Sequence, residues 1–150
     1  FFGRMAIWGW SFGGYVTSMV MSNSTVGDTF KLGIAVAPPT DWLLYDAAYT
    51  ERYMGMPLSN REGYQTTSVI NRAQYMKSDN HFVLIHGLAD DNVHFSHSAC
   101  LSVALVEAQV QYTSMYYVNA AHSIRIGNSR KHIYNYIYNQ LQLHLINQLY

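Results

Sequence analysis

The chain has 150 residues, 49% of them apolar, and its nine Lys+Arg balance nine Asp+Glu. That length fits one ordinary domain, and a formal net charge of zero argues against nucleic acid or an anionic membrane surface as the main partner. Charged residues are only 12%, with 13 tyrosines filling part of the gap; such a surface is either covered in part by another domain or subunit, or is simply a neutral, hydrogen-bonding exterior.

Met5-Ala6-Ile7-Trp8 is a short apolar run that reads as a buried strand. Gly9-Trp10-Ser11-Phe12-Gly13-Gly14-Tyr15 follows, and a helix is expected from Phe12 to about Ser22. A strand that turns sharply into a helix strains the residue between them. Small residues two before and two after let the chain approach that point without a Cβ clash. The pattern would expose the Ser11 hydroxyl at a helix N-terminus that favours developing negative charge. The bland alternative is a serine that merely caps the helix.

Residues 32–37 form a second buried strand, stopped by Pro38-Pro39. Trp42 to Tyr53 reads as loop with short helix, Gly55 to Ser59 as a turn, and Asn71 to Lys77 as helical. Phe82 to His86 is a third strand, ending at Gly87. Ser96 to Gln109 is an amphipathic helix with Leu101, Ala104, Leu105 and Ala108 on one face. Tyr112 to Val118 is a fourth strand and Arg130 to Leu149 a long final helix. The final helix carries Ile133, Ile137, Leu141 and Leu145 on one stripe, widened by Tyr134, Tyr138, Ile146 and Leu149, which fits either a subunit contact or a deeply buried terminal helix.

Strands alternating with helices give an α/β fold: a parallel sheet with helices on both faces and sites beyond the C-terminal strand ends. That rule directs attention to the loops after Trp8, Ala37, His86 and Val118. A serine nucleophile needs a base and a group that orients the base. The third strand is followed by Asp90-Asp91-Asn92 and the fourth by Asn119-Ala120-Ala121-His122. The order Ser, Asp, His is that of α/β-hydrolases. Spacing alone does not separate Asp90 from Asp91. His94 and His97, at i and i+3, lack a convincing third metal ligand and read as helix-start residues. The single cysteine, Cys100, cannot form an intrachain disulfide. Asn23-Ser24-Thr25 is a glycosylation sequon, meaningful only in the secretory pathway. No apolar run approaches the length needed to cross a bilayer. The opening Phe1-Phe2-Gly3-Arg4, with neither signal peptide nor initiator methionine, makes the chain read as a piece of a longer protein.

Ala6-Ile7-Trp8-Gly9-Trp10-Ser11-Phe12-Gly13-Gly14-Tyr15, Gly33-Ile34-Ala35-Val36-Ala37-Pro38, Tyr49-Thr50-Glu51-Arg52-Tyr53-Met54-Gly55, Leu84-Ile85-His86-Gly87 and Ala89-Asp90-Asp91-Asn92-Val93-His94-Phe95 together resemble the dipeptidyl peptidase IV and fibroblast activation protein subfamily of the prolyl oligopeptidase family. The resemblance covers nearly the whole chain. It implies the C-terminal half of an α/β-hydrolase catalytic domain, without the family's β-propeller and the first part of its sheet.

The same resemblance implies Ser11 as nucleophile, Asp90 as orienting acid and His122 as general base, with the Phe12 backbone N–H as one oxyanion donor. Trp42, Tyr45 and Tyr49 resemble the walls of a proline pocket, Val93 and Phe12 would help close it, and Asn92 resembles the residue that binds the substrate carbonyl. A flat apolar ring without an N–H suits an aromatic-lined pocket, although an ordinary amphipathic helix packing on the core would use the same residues. The implied activity is release of N-terminal dipeptides after Pro or Ala through an acyl-enzyme, with no metal or organic cofactor and no nucleic-acid partner. The implied setting is a homodimer at the cell surface, anchored as a type II membrane protein or secreted. The isolated chain is expected to be inactive on a Gly-Pro chromogenic dipeptide. Rival readings are a catalytically silent, channel-accessory relative, which would lack the serine, and an esterase, against which the aromatic cluster and Asn92 argue.

Several positions depart from the family pattern. Ala120 and Ala121 stand where acidic or amide residues precede the histidine, and Ser123 replaces a glycine after it, which suggests a displaced His122 loop. Pro39 replaces a small aliphatic pocket residue. Leu32 and Leu149 stand where the resemblance implies a cysteine pair.

Overall fold

A computed structural model describes residues 4–77 and 79–146. In chain order it contains β1 (Ala6–Trp10), α1 (Phe12–Met21), β2 (Leu32–Val36), α2 (Ala47–Met54), α3 (Arg61–Thr66), α4 (Val69–Arg72), β3 (His81–Gly87), α5 (Ser96–Glu107), β4 (Thr113–Tyr117) and α6 (Ser129–Leu141). The four strands pair in sequence order, all parallel, as expected where each strand is followed by a helical crossover.

The central strands obey the two-residue period of a sheet. Leu32, Ile34 and Val36 of β2, with Val83 and Ile85 of β3, face Ile133 and Ile137 of α6. Ala35, Phe82 and Leu84 face the opposite way, toward Met21, Val69, Leu101 and Leu105 on α1, α4 and α5. The two apolar layers are therefore separate clusters on the two faces of one sheet.

Expected and observed elements differ at identifiable places. α3 follows the turn region, with Asn60 Oδ1 accepting the Gly63 N–H at its start; Arg-Glu-Gly-Tyr-Gln-Thr offers no apolar period to announce it. The final helix keeps regular α geometry to Leu141 and continues as a wider π-type turn over Gln142–Ile146. Its outer apolar residues are not buried: Tyr134, Tyr138 and Ile146 are exposed. Leu32 is fully buried in the α6-side core, while Leu149 lies outside the described residues.

Candidate active site

Ser11 joins β1 to α1 with φ 58° and ψ −121°, left-handed backbone that a residue with a Cβ rarely adopts. Its N–H donates to the Val36 carbonyl at 2.8 Å, tying the turn to the next strand. Gly9 makes the turn possible: a Cβ there would lie 2.3 Å from the Gly13 carbonyl group. Gly13 itself has open space at its Cβ position. The close approach thus depends on the glycine before the serine, and the expectation of a matching requirement two residues after it is corrected. The Ser11 side chain makes no capping hydrogen bond to α1. The serine thus occupies the N-cap position without using its hydroxyl as a cap, and the first-turn N–H groups, Phe12's included, are left facing the serine end of the helix.

Asp90 lies in the loop after β3 and is buried, whereas Asp91 beside it is exposed. Asp90 Oδ1 accepts the backbone N–H groups of Asn92 and Val93, both at 3.0 Å. Asp90 Oδ2 accepts from His122 Nδ1 at 2.8 Å. With its proton on Nδ1 and donated to Asp90, the neutral imidazole keeps Nε2 as a lone-pair acceptor, the tautomer a general base requires. Burial pushes the Asp90 carboxyl up, but hydrogen bonds from His122, His86 and the Asn92 N–H outweigh it and hold the group below the ordinary carboxylate range.

A second histidine lies under the same acid. His86 is fully buried in β3, its Nε2 3.2 Å from Asp90 Oδ2 and 2.8 Å from the Val93 carbonyl, its Nδ1 2.6 Å from Ser98 Oγ. Nε2 faces two acceptors and so carries the proton, while Nδ1 accepts from the Ser98 hydroxyl. A polar residue that continues the strand directly after the apolar run Phe82–Ile85 is the signal in the sequence that points to His86.

The His122 loop is held in place despite its altered neighbours. The Trp10 indole N–H donates to the His122 carbonyl at 2.9 Å. Gly87 allows Ala120 to lie against the end of β3, where a Cβ would meet the Ala120 oxygen at 2.2 Å; the same oxygen accepts the Ala89 N–H at 3.1 Å. Ser123 does not carry positive φ; the left-handed residues of this loop are Asn119 (φ 61°) and the buried Ile124 (φ 46°). Loss of the glycine therefore does not displace the imidazole from Asp90. Among the described residues, no hydrogen bond joins Ser11 to His122, a contact that often tightens only when substrate is bound.

The aromatic residues assemble beside Phe12. Trp42 stacks on Tyr49 with ring centres 6.2 Å apart, Tyr45 meets Tyr49 edge-on at 5.3 Å, and Phe12 lies 6.2 Å from Trp42. A cavity of about 490 Å³ is lined by Phe12, Tyr15, Trp42, Tyr49, Thr50, Tyr53 and Met54. Tyr15 and Tyr53 were not anticipated. Tyr45 stands at the other side of the cluster, its hydroxyl donating to Asn92 Oδ1 at 2.8 Å, with burial and then Asp46 raising its phenol pKa. Val93 has no exposed surface. Its place is structural, donating to Asp90 and accepting from His86, so the expectation that it helps close the pocket is corrected for this conformation.

His94 and His97 do begin the α5 region. His94 is exposed and pairs with Ser96, while His97 is buried, its Nδ1 accepting the Thr40 N–H at 3.0 Å. His97 thereby ties α5 to the loop that carries Trp42 and Tyr45. No helix among the described residues is long and apolar enough to cross a membrane.

Residues 3–147 match the prolyl oligopeptidase family. The chain is 49% identical over 136 residues to dipeptidyl peptidase 4 of Bos taurus, covering 89% of this chain and 17% of that protein. It is 46% identical over 136 residues to prolyl endopeptidase FAP of Homo sapiens, with the same coverage. The crystal structure of Porphyromonas gingivalis dipeptidyl peptidase 4 superposes with a TM-score of 0.90 at 40% identity, covering 96% of this chain and 20% of that one. The chain thus spans less than a fifth of the length of the curated relatives it matches.

Proposed function

The chain belongs to the prolyl oligopeptidase family, and on that premise we propose that it carries the nucleophile, acid and base of a serine exopeptidase that releases N-terminal dipeptides after Pro or Ala. The observation that carries this reading is the His122–Asp90 pair, 2.8 Å apart, at the same rim of the sheet as the strained Ser11 turn.

In the proposed reaction, Ser11 Oγ attacks the carbonyl carbon of the second residue while His122 Nε2 takes the hydroxyl proton. The oxyanion forms beside the Phe12 N–H, where the α1 N-terminus favours negative charge. Collapse of the tetrahedral species breaks the C–N bond as His122 returns the proton to the leaving amine. Water then attacks the acyl-enzyme, with His122 again as base, and frees the dipeptide and Ser11. Asp90 stays ionised and orients the imidazole. Phe12, Trp42 and Tyr49 offer aromatic faces to a proline ring, and Tyr45 holds Asn92 in place toward the substrate carbonyl.

Cell-surface or secreted placement and a homodimer belong to the same proposal, by resemblance to longer relatives. Presence of Ser11, Asp90 and His122 together favours an enzyme over a silent relative. The test is hydrolysis of Gly-Pro and Gly-Gln chromogenic anilides by the longest form of the protein that carries these residues. Turnover of Gly-Pro well above Gly-Gln is expected. Equal turnover, or none, contradicts the reading.

A further inference from the structure

The residues on either side of Ser11 in the sequence line different cavities. Its successor Phe12 lines the aromatic one. Its predecessor Trp10 lines another, of about 240 Å³, with His122, Ser123, Arg125, Arg130 and Tyr134. The two have no lining residue in common. In the peptidase reading, on which this inference rests, the base hands its proton to the leaving nitrogen. The cavity that contains His122 therefore lies on the leaving side of the scissile bond, and the cavity that contains Phe12 lies on the acyl side.

The second cavity is cationic. Arg125 and Arg130 are both exposed at its wall. Among the described residues neither takes part in an ion pair; those are Lys77–Asp28 and the contacts of Asp90 with His86 and His122. The sequence reinforces the imbalance: no Asp or Glu follows Glu107, while Arg125, Arg130 and Lys131 all do. The nearby acids do not neutralise the arginines. Asp90 is buried and taken up by two backbone N–H groups and two imidazoles, and Asp91 is exposed on the neighbouring loop. Tyr134 and Trp10 supply apolar walls. A guanidinium group at the wall of such a cavity can recognise a carboxylate through charge-assisted hydrogen bonds.

We infer that this cavity receives the leaving segment of the peptide and that Arg125 and Arg130 select a carboxylate in it. That group is either an acidic side chain close after the scissile bond or the free C-terminus of a short leaving segment. The arginines act on binding and specificity; the proton chemistry stays with His122.

The test compares kcat/KM for Ala-Pro-Glu-Gly-Gly-amide against Ala-Pro-Gln-Gly-Gly-amide, and for Ala-Pro-Gly-Gly as free acid against its amide, in the longest form of the protein. The first pair reads a side-chain carboxylate and the second a terminal one. At least one pair is expected to favour the acid by about tenfold at low salt, with the preference shrinking as salt rises. In the Arg125→Gln/Arg130→Gln double variant that ratio is expected to fall to within about twofold of one. The single variants serve if the double one fails to fold. Ratios near one in the unmodified protein, or a preference that survives loss of both arginines, overturn the inference.

Hydrolysis of Gly-Pro anilide, which has no leaving peptide, reports separately on the peptidase reading. Should that fail, binding of the peptides Glu-Gly-Gly-amide and Gln-Gly-Gly-amide, and of Gly-Gly as acid and amide, is compared by titration calorimetry. Stronger binding of an acid supports the carboxylate site, and equal binding in both pairs overturns it.

Discussion

The Trp10 indole N–H donates to the main-chain carbonyl of His122 across 112 residues of sequence, at 2.9 Å. The residue before the serine thus fixes the loop that carries the imidazole. Trp10→Phe keeps an aromatic ring and removes this donor. The loop should loosen, with kcat on a Gly-Pro anilide falling about tenfold and stability by about 1 kcal/mol, the usual worth of one such bond. Steady-state kinetics and urea unfolding measure the two effects.

Asp90 holds His122 in one tautomer. In Asp90→Asn the Asn92 and Val93 N–H groups still need an acceptor, so the amide oxygen stays with them and the NH₂ faces His122 Nδ1. The imidazole must then accept at Nδ1 and carry its proton on Nε2, the wrong form for a base. Loss of the correct tautomer costs about 10⁴-fold in kcat. The expected result is a fall of that order with little change in KM, and a far-downfield Nδ1 proton resonance that disappears.

Gly9 and Gly13 look equivalent in the motif and are not. An added Cβ at Gly9 overlaps the Gly13 carbonyl group at 2.3 Å, whereas one at Gly13 meets nothing within 4 Å. Gly9→Ala should destabilise by about 3 kcal/mol or prevent folding. Gly13→Ala should be neutral or stabilising by up to about 1 kcal/mol, since it removes a flexible residue from a helix. Thermal unfolding of the two variants side by side checks the contrast.

The buried strand β2 was legible because it is apolar at every position and Pro38-Pro39 ends it, whereas β1, expected to be buried on the same apolar pattern, lies at the edge of the sheet with Trp8 exposed. The Ser, Asp, His order was legible because each residue follows a strand. Spacing did not separate Asp90 from Asp91, and only the family resemblance chose between them, because burial and the donors that converge on a carboxylate are set by the fold around it. The roles of His86 and His97 inside the fold stay hidden for the same reason, because their partners, Ser98 and Thr40, are reached only through packing. Val93 was assigned to the pocket by pattern, while its backbone is wholly occupied in holding Asp90 and His86.

His97 gives the fold a dependence on pH. Burial, with His86 beside it, lowers its pKa from 6.5 to about 4, against the upward pull of Asp41. The unfolded chain takes up a proton near pH 6.5 that the folded chain refuses until about pH 4. Stability is therefore full above pH 6.5 and falls through that window as pH drops, by up to about 1.4 kcal/mol per pH unit. Asp90, held below the ordinary carboxylate range, adds a further loss only at lower pH. Urea midpoints of the parent and of His97→Gln between pH 7 and pH 4 should converge as the pH falls, because the variant lacks the titrating group.

The most direct test of the account is covalent labelling of Ser11. The longest form of the protein that carries this chain is treated with a fluorophosphonate probe at neutral pH, and the labelled peptide is sequenced. The expected result is modification at Ser11, abolished in Ser11→Ala and slowed by orders of magnitude in His122→Ala. Labelling at another residue, labelling that survives Ser11→Ala, or a rate indifferent to His122 would contradict it.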